Sequence, residues 1–100
     1  MRTLILPVKQ IYFEQIESGQ KNEEYRLVTP YWSKRLENKS YDRVIVTLGY
    51  PSKEDATKHL EFPWKGVKKK IIQHEEFGPG EKEVFVIPVG KEFGRQLNLF

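Results

Sequence analysis

Between Gly19 and Arg26 the chain reads GQKNEEYR, and within this stretch its pattern changes from helical to extended. Upstream lies a short amphipathic helix. Downstream lies a strand that carries charges where an ordinary core strand carries apolar residues. Strand side chains alternate between faces, so Glu24 and Arg26 share one face and Tyr25 takes the other. Lys21, Glu24 and Arg26 therefore fall within six positions at a helix-to-strand junction, an arrangement suited to holding something polar. A solvated strand edge with an incidental ion pair accounts for the same spacing.

The rest of the chain restricts the architecture further. Thr3 to Val8 reads as a first strand with Pro7 at a sheet edge. Lys9 to Ser18 reads as a helix burying Tyr12, Ile16 and either Phe13 or Ile11, with Gly19 as its left-handed cap. A second strand covers roughly Glu23 to Val28. Thr29 and Pro30 then start a short helix to Glu37, with Thr as the cap and Pro in the first position. Val44-Ile45-Val46-Thr47-Leu48 is the clearest core strand, ended by Gly49-Tyr50-Pro51. Ser52 is expected to cap a single turn over Lys53 to Thr57. His59 to Glu75 reads as a long bent strand or two strands, with Gly66 at a bulge or corner. Glu83 to Val89 closes the pattern, with Phe85 and Ile87 on one face and Val84, Val86 and Pro88 on the other. Five or six strands with two short helices inserted early describe an α+β fold, a small and partly closed β-barrel.

One hundred residues suit a single domain with one hydrophobic core. The absence of cysteine excludes a disulfide framework, thiolate zinc sites and thiol nucleophiles. The longest apolar run, Leu4-Ile5-Leu6, fits a strand and falls far short of a bilayer span. The apolar run ending at Pro7 is too brief for a signal peptide, so a cytoplasmic protein without membrane contact is expected. A net charge of +3 permits anionic partners without demanding them. Lys65 to Lys70 (KGVKKK) is the densest basic cluster, to which the fold can add Lys34, Arg35, Lys53 and Lys58; ordinary solubilising lysines explain it equally.

Gly19, Lys21, Glu24 and Arg26 stand as G-x-K-x-x-E-x-R after a helix that itself follows the first strand. In this the sequence resembles the ASCH family of the PUA-like superfamily of small β-barrels, and in order and spacing the resemblance covers nearly the whole chain. Lys9 sits where that family often has a basic residue, and Gly49-Tyr50 resembles a feature of its small members. The resemblance implies a cleft between barrel and helices that receives RNA or a modified nucleoside. Family members with demonstrated activity include amidohydrolases acting on N4-acetylcytidine, and some ribonucleases. In the amidohydrolases the motif Lys pairs with a Thr three residues later, the proposed nucleophile. That position here is Glu24, and a carboxylate does not replace a hydroxyl in acyl transfer, because the acyl intermediate would be a mixed anhydride.

In such a cleft Lys9, Lys21 and Arg26 offer donors to a phosphate or base carbonyl, and Glu24 orients a cation or accepts from an exocyclic amine. Trp32 and Tyr50, both at element ends, are candidates for stacking on a base; covering the core is the alternative for each. For a hydrolase, Lys21 and Glu24 are the candidate catalytic pair. Burial in a cleft would raise the Glu24 pKa toward a general base while the flanking cations would lower it, an opposition that favours recognition over catalysis. Replacing Lys21 or Arg26 by Ala is expected to weaken binding and leave the fold intact. His59 and His74 lack partners at metal-ligand spacing, and no phosphate loop or dinucleotide fingerprint is present, so neither metal nor cofactor is expected.

Residues 96–100 stand apart from the domain at 1–95. Gln96-Leu97-Asn98-Leu99-Phe100 resembles the pentapeptide Q-L-x-L-F with which many bacterial replication and repair proteins bind the sliding clamp. Leu97, Leu99 and Phe100 would fill an apolar groove while Gln96 makes a specific hydrogen bond. The alternative is a tail folded back over an open end of the barrel.

Overall fold

The computed structural model describes residues 1–50 and 55–90. Six strands and two helices follow in the order β1 (Thr3–Val8), α1 (Gln10–Ser18), β2 (Glu23–Leu27), α2 (Pro30–Leu36), β3 (Arg43–Leu48), β4 (His59–Pro63), β5 (Lys68–Ile72) and β6 (Lys82–Pro88). Single 3-10 turns at Ala56–Lys58 and Glu75–Phe77 complete the regular structure. The strands form two three-stranded sheets, ordered β1-β3-β4 and β2-β6-β5. β1 runs parallel to β3; every other pairing is antiparallel. The fold is thus α+β, and the strand pairings among the described residues do not close the sheets into a barrel.

One core joins both sheets. Leu4, Leu6 and Val8 of β1, Val44 and Val46 of β3, and Phe62 of β4 meet Phe85 and Ile87 of β6, with Phe13 and Ile16 of α1 and Leu36 of α2 packed among them. The helices form where capping and spacing direct them. Gly19 takes φ +90° to end α1, and its N–H bonds the Ile16 carbonyl. The Thr29 side chain accepts from the Trp32 N–H at 3.3 Å to begin α2, with Pro30 at the first helical position. Of the two candidates for the α1 stripe, Phe13 is buried and Ile11 is 57% exposed. A stripe at 13 and 16 is three residues wide and faces β3.

The stretch from His59 to Glu75 is two strands in different sheets. β4 pairs with β3 and β5 pairs with β6, and Gly66 at φ +88° lies in the crossover between them. β6 is central in its sheet and covered on both faces, with Val84 and Val86 as fully buried as Phe85 and Ile87. Ser52 and the first two residues of the expected turn over Lys53 to Thr57 lie outside the described residues; a 3-10 turn occupies Ala56–Lys58. The KGVKKK lysines do not pool into one patch: Lys69 pairs with Glu37 at 2.6 Å and Lys70 with Glu23 at 3.5 Å. Among the described residues no helix is long and apolar enough to cross a membrane.

Candidate functional site

β2 pairs with β6 so that Glu24 lies opposite Ile87 and Arg26 opposite Phe85. Directly paired residues share a face of a sheet. The two charges therefore point to the same side as two core residues, while Tyr25 and Leu27 take the other with Val86 and Val84. Glu24 is 5% exposed, the most buried charged residue among those described. Arg26 Nη1 donates to Glu24 Oε2 at 2.8 Å, and Lys21 Nζ lies 3.6 Å from Glu24 Oε1. The second Arg26 nitrogen, Nη2, donates to the carbonyl of Pro7 at 2.7 Å, on the open edge of β1. Lys21 is fixed twice over: its backbone N–H bonds the Gln15 carbonyl of α1, and its ammonium sits 5.4 Å from the Tyr12 ring and 4.6 Å from the Tyr25 ring.

These groups form the floor of a cleft of about 430 Å³. Tyr12, Tyr25 and Tyr50 line it together with Pro7 and Val8 at the end of β1. The Gly49 N–H bonds the Val8 carbonyl at 3.0 Å, and this places Tyr50 beside the mouth, 91% exposed. The far rim comes from the turn after β5, where His74, Glu76 and Phe77 complete the lining. Lys9 Nζ meets Glu76 at 3.0 Å across that rim, and the Tyr12 hydroxyl donates to the same carboxylate at 3.3 Å. His74 Nδ1 accepts from the Glu76 N–H at 3.0 Å, so that nitrogen carries no proton in this arrangement.

Burial decides the electrostatics of the centre. It raises the Glu24 pKa above the ordinary carboxyl value, against the opposing pull of Arg26 and then Lys21. The flanking cations alone would have shifted it downward; desolvation outweighs them because the carboxylate lies on the inner face of β2. Glu76, at the rim and nearly unburied, shows the reverse: its hydrogen bond from Lys9 lowers its pKa. Tyr25 is pushed up to about 12 by burial and by donating to Glu23 at 2.9 Å, so its phenol keeps its proton. Among the described residues neither serine nor threonine lines the cleft, and no cluster of His, Cys, Asp or Glu could hold a metal ion.

Lys9, Lys21, Glu24, Arg26 and Tyr50 all line this cleft. Trp32 does not: it packs partly buried against the core with the Arg26 guanidinium 5.1 Å from its ring, and it opens on a neighbouring groove. Arg26 also departs from the role of a replaceable ligand contact, since it ties β2 to β1 through Pro7. Its Nε is buried without a partner, so the side chain is held by its two terminal nitrogens. The cleft residues that local sequence patterns left unassigned are Tyr12, Tyr25, His74, Glu76 and Phe77. Tyr12 was legible as an amphipathic residue of the α1 stripe; the rim at 74–77 follows only from β5 pairing with β6. Gln96, Leu97, Leu99 and Phe100 lie outside the described residues. No protein-family model matches this chain, and no curated protein or solved structure is significantly similar to it.

Proposed function

We propose that this chain is an ASCH-type domain that binds RNA or a modified nucleoside in the cleft above Lys21, Glu24 and Arg26. The observation that carries the reading is Glu24, a carboxylate buried between two cations in an open cleft that three tyrosines help to line. A charge held there at the expense of its solvation is better explained by recognition than by stability, because an apolar side chain would pack at the same place at lower cost. Tyr12, Tyr25 and Tyr50 offer faces for a base ring. Lys21 offers a donor to a ring carbonyl, and Glu24 retains lone pairs for an exocyclic amine. On this reading the two sheets correspond to the two sides of a partly closed PUA-like barrel, and the protein acts in the cytoplasm without a metal or organic cofactor.

Titration with cytidine, N4-acetylcytidine and short single-stranded RNA tests this directly. Saturable binding is expected for wild type, weakened by Lys21→Ala; the absence of saturation with all three ligands would remove the reading.

The raised Glu24 pKa favours a second reading, hydrolysis of a modified pyrimidine nucleoside or of RNA. With neither serine nor threonine among the described lining residues, Glu24 would act as general base on water and Lys21 would stabilise the developing oxyanion. Release of cytidine from N4-acetylcytidine, lost in both Lys21→Ala and Glu24→Gln, would establish it and displace simple binding as the function.

Residues 96–100 support a separate proposal, docking of the QLNLF peptide on a bacterial sliding clamp. Binding of purified clamp by the full chain and its loss on deleting 96–100 is the expected result. Equal binding with and without the peptide would refute it.

A further inference from the structure

A second concave surface adjoins the cleft. This groove of about 350 Å³ runs between β1 and α2, and Ile5, Tyr31, Trp32, Arg35, Tyr41 and Tyr50 line most of it. Of its four aromatic residues, Trp32 and Tyr41 pack partly buried against the core and the other two stand out from it. Tyr31 is 55% exposed and Tyr50 almost wholly so, and Ile5 on the outward face of β1 is nearly half exposed. Arg35 lies with its guanidinium 3.6 Å from the centre of the Tyr31 ring and donates to the Tyr31 carbonyl at 3.1 Å. Tyr31 and Trp32 meet edge to face at 5.0 Å. Among the described residues Arg35 is the charged residue of the lining, and none of them brings a carboxylate to the groove.

Cleft and groove are continuous. Pro7 and Tyr50 line both, and Arg26 of the cleft stacks on Trp32 of the groove. A ligand entering the cleft past Tyr50 therefore meets an aromatic, positively charged surface on its way out. We propose that the groove holds the nucleotide adjacent to the one whose base enters the cleft, so that the ligand is a single-stranded nucleic acid rather than a free nucleoside. The proposal rests on the cleft reading given above. Exposed tyrosine faces stack on unpaired bases whatever their sequence, and duplex bases are not available to them. Arg35, held flat on Tyr31, presents its remaining donors to the phosphate linking the two nucleotides. Tyr, Trp and Arg also mark protein interfaces. A groove whose described lining carries Arg35 and no carboxylate, beside a cleft that bears Lys9, Lys21 and Arg26, is matched more closely by a polyanion.

The test uses the full chain and two probes. One is a fluorescein-labelled single-stranded RNA of mixed sequence and about ten nucleotides, long enough to cover both surfaces. The other is cytidine 5′-monophosphate, which reaches the cleft alone. Tyr31→Ala and Arg35→Ala, both on the solvent side of α2, are each expected to weaken RNA binding about fivefold or more. Both leave the mononucleotide affinity unchanged, and Tyr31→Phe, which keeps the ring, restores RNA binding. If RNA affinity is unchanged in both variants while Lys21→Ala lowers it, the groove is no subsite and the cleft reading survives. If RNA binding falls with Tyr31→Ala but is indifferent to Lys21→Ala, the two-subsite arrangement is overturned and the cleft reading falls with it. Failure of wild type to bind either probe overturns both and leaves the groove to a protein partner.

Discussion

Arg26 donates to the carbonyl of Pro7 at 2.7 Å and to Glu24 at 2.8 Å, and so one side chain joins the two sheets and neutralises the buried carboxylate. Pro7 makes the first of these bonds meaningful. It sits on an edge strand, where its carbonyl has no strand partner on the open side, and Arg26 reaches that edge from β2. The same guanidinium covers Trp32, so cleft, sheet junction and groove share one residue.

Removing Arg26 should therefore destabilise the fold rather than only the site. Arg26→Ala strands Glu24 with Lys21 alone and leaves the Pro7 carbonyl unmet, and a loss of about 3 kcal/mol is expected. Urea unfolding checks it. Lys21→Ala, whose ammonium lies 3.6 Å from the carboxylate against 2.8 Å for the Arg26 guanidinium, should cost clearly less. A loss for Arg26→Ala no greater than that for Lys21→Ala would refute the structural role.

Glu24 should make stability depend on pH in a direction opposite to most acidic residues. Its folded pKa lies above the ordinary value, so the folded state binds its proton more tightly than the unfolded chain does. That contribution is fully present below the unfolded pKa and is lost as pH rises through the folded one. Glu23 and Glu76, with lowered pKa values, contribute in the reverse sense, gaining above their unfolded pKa and losing as pH falls. The difference between wild type and Glu24→Gln isolates the first effect. Wild type should lose stability relative to the variant as pH rises from the ordinary carboxyl value through the higher folded one, followed by thermal unfolding at each pH. A gain over that range would show that the cations, not burial, dominate.

Tyr25 should titrate late. With its pKa pushed up to about 12, the phenolate absorbance of wild type should contain a component near the end of the alkaline range that is missing from Tyr25→Phe. If the two titration curves differ instead near the ordinary tyrosine value, the Tyr25 hydroxyl is not held by Glu23.

The cap of α2 should matter to the groove. Thr29→Ala removes the acceptor for the Trp32 N–H and is expected to cost about 1 kcal/mol. The same change should lower RNA affinity, because Tyr31, Trp32 and Arg35 all ride on that helix. Stability measured by urea and affinity measured by anisotropy should fall together. An unchanged midpoint would show that Pro30 alone fixes the helix start.

Local chemistry made much of this molecule legible in the sequence. Gly19 marked the left-handed end of α1, Thr29-Pro30 the start of α2, and β-branched Val44 to Leu48 the strand at the centre of its sheet, because caps, φ constraints and side-chain branching act over a few residues. Alternation likewise placed Glu24 and Arg26 on one face of β2. Which face that was depended on a partner some sixty residues away: pairing with Phe85 and Ile87 turned both charges inward, and only then did burial outweigh the cations in setting the Glu24 pKa. The parallel pairing of β1 with β3, the division of His59 to Ile72 between two sheets and the rim of Glu76 and Phe77 are also long-range outcomes, fixed by which edges and apolar faces could be covered together. GQKNEEYR by itself determined that a Lys, a carboxylate and an Arg would meet. The tertiary structure decided that they meet in a cleft, because strand register sets what a side chain faces and no local pattern carries that register.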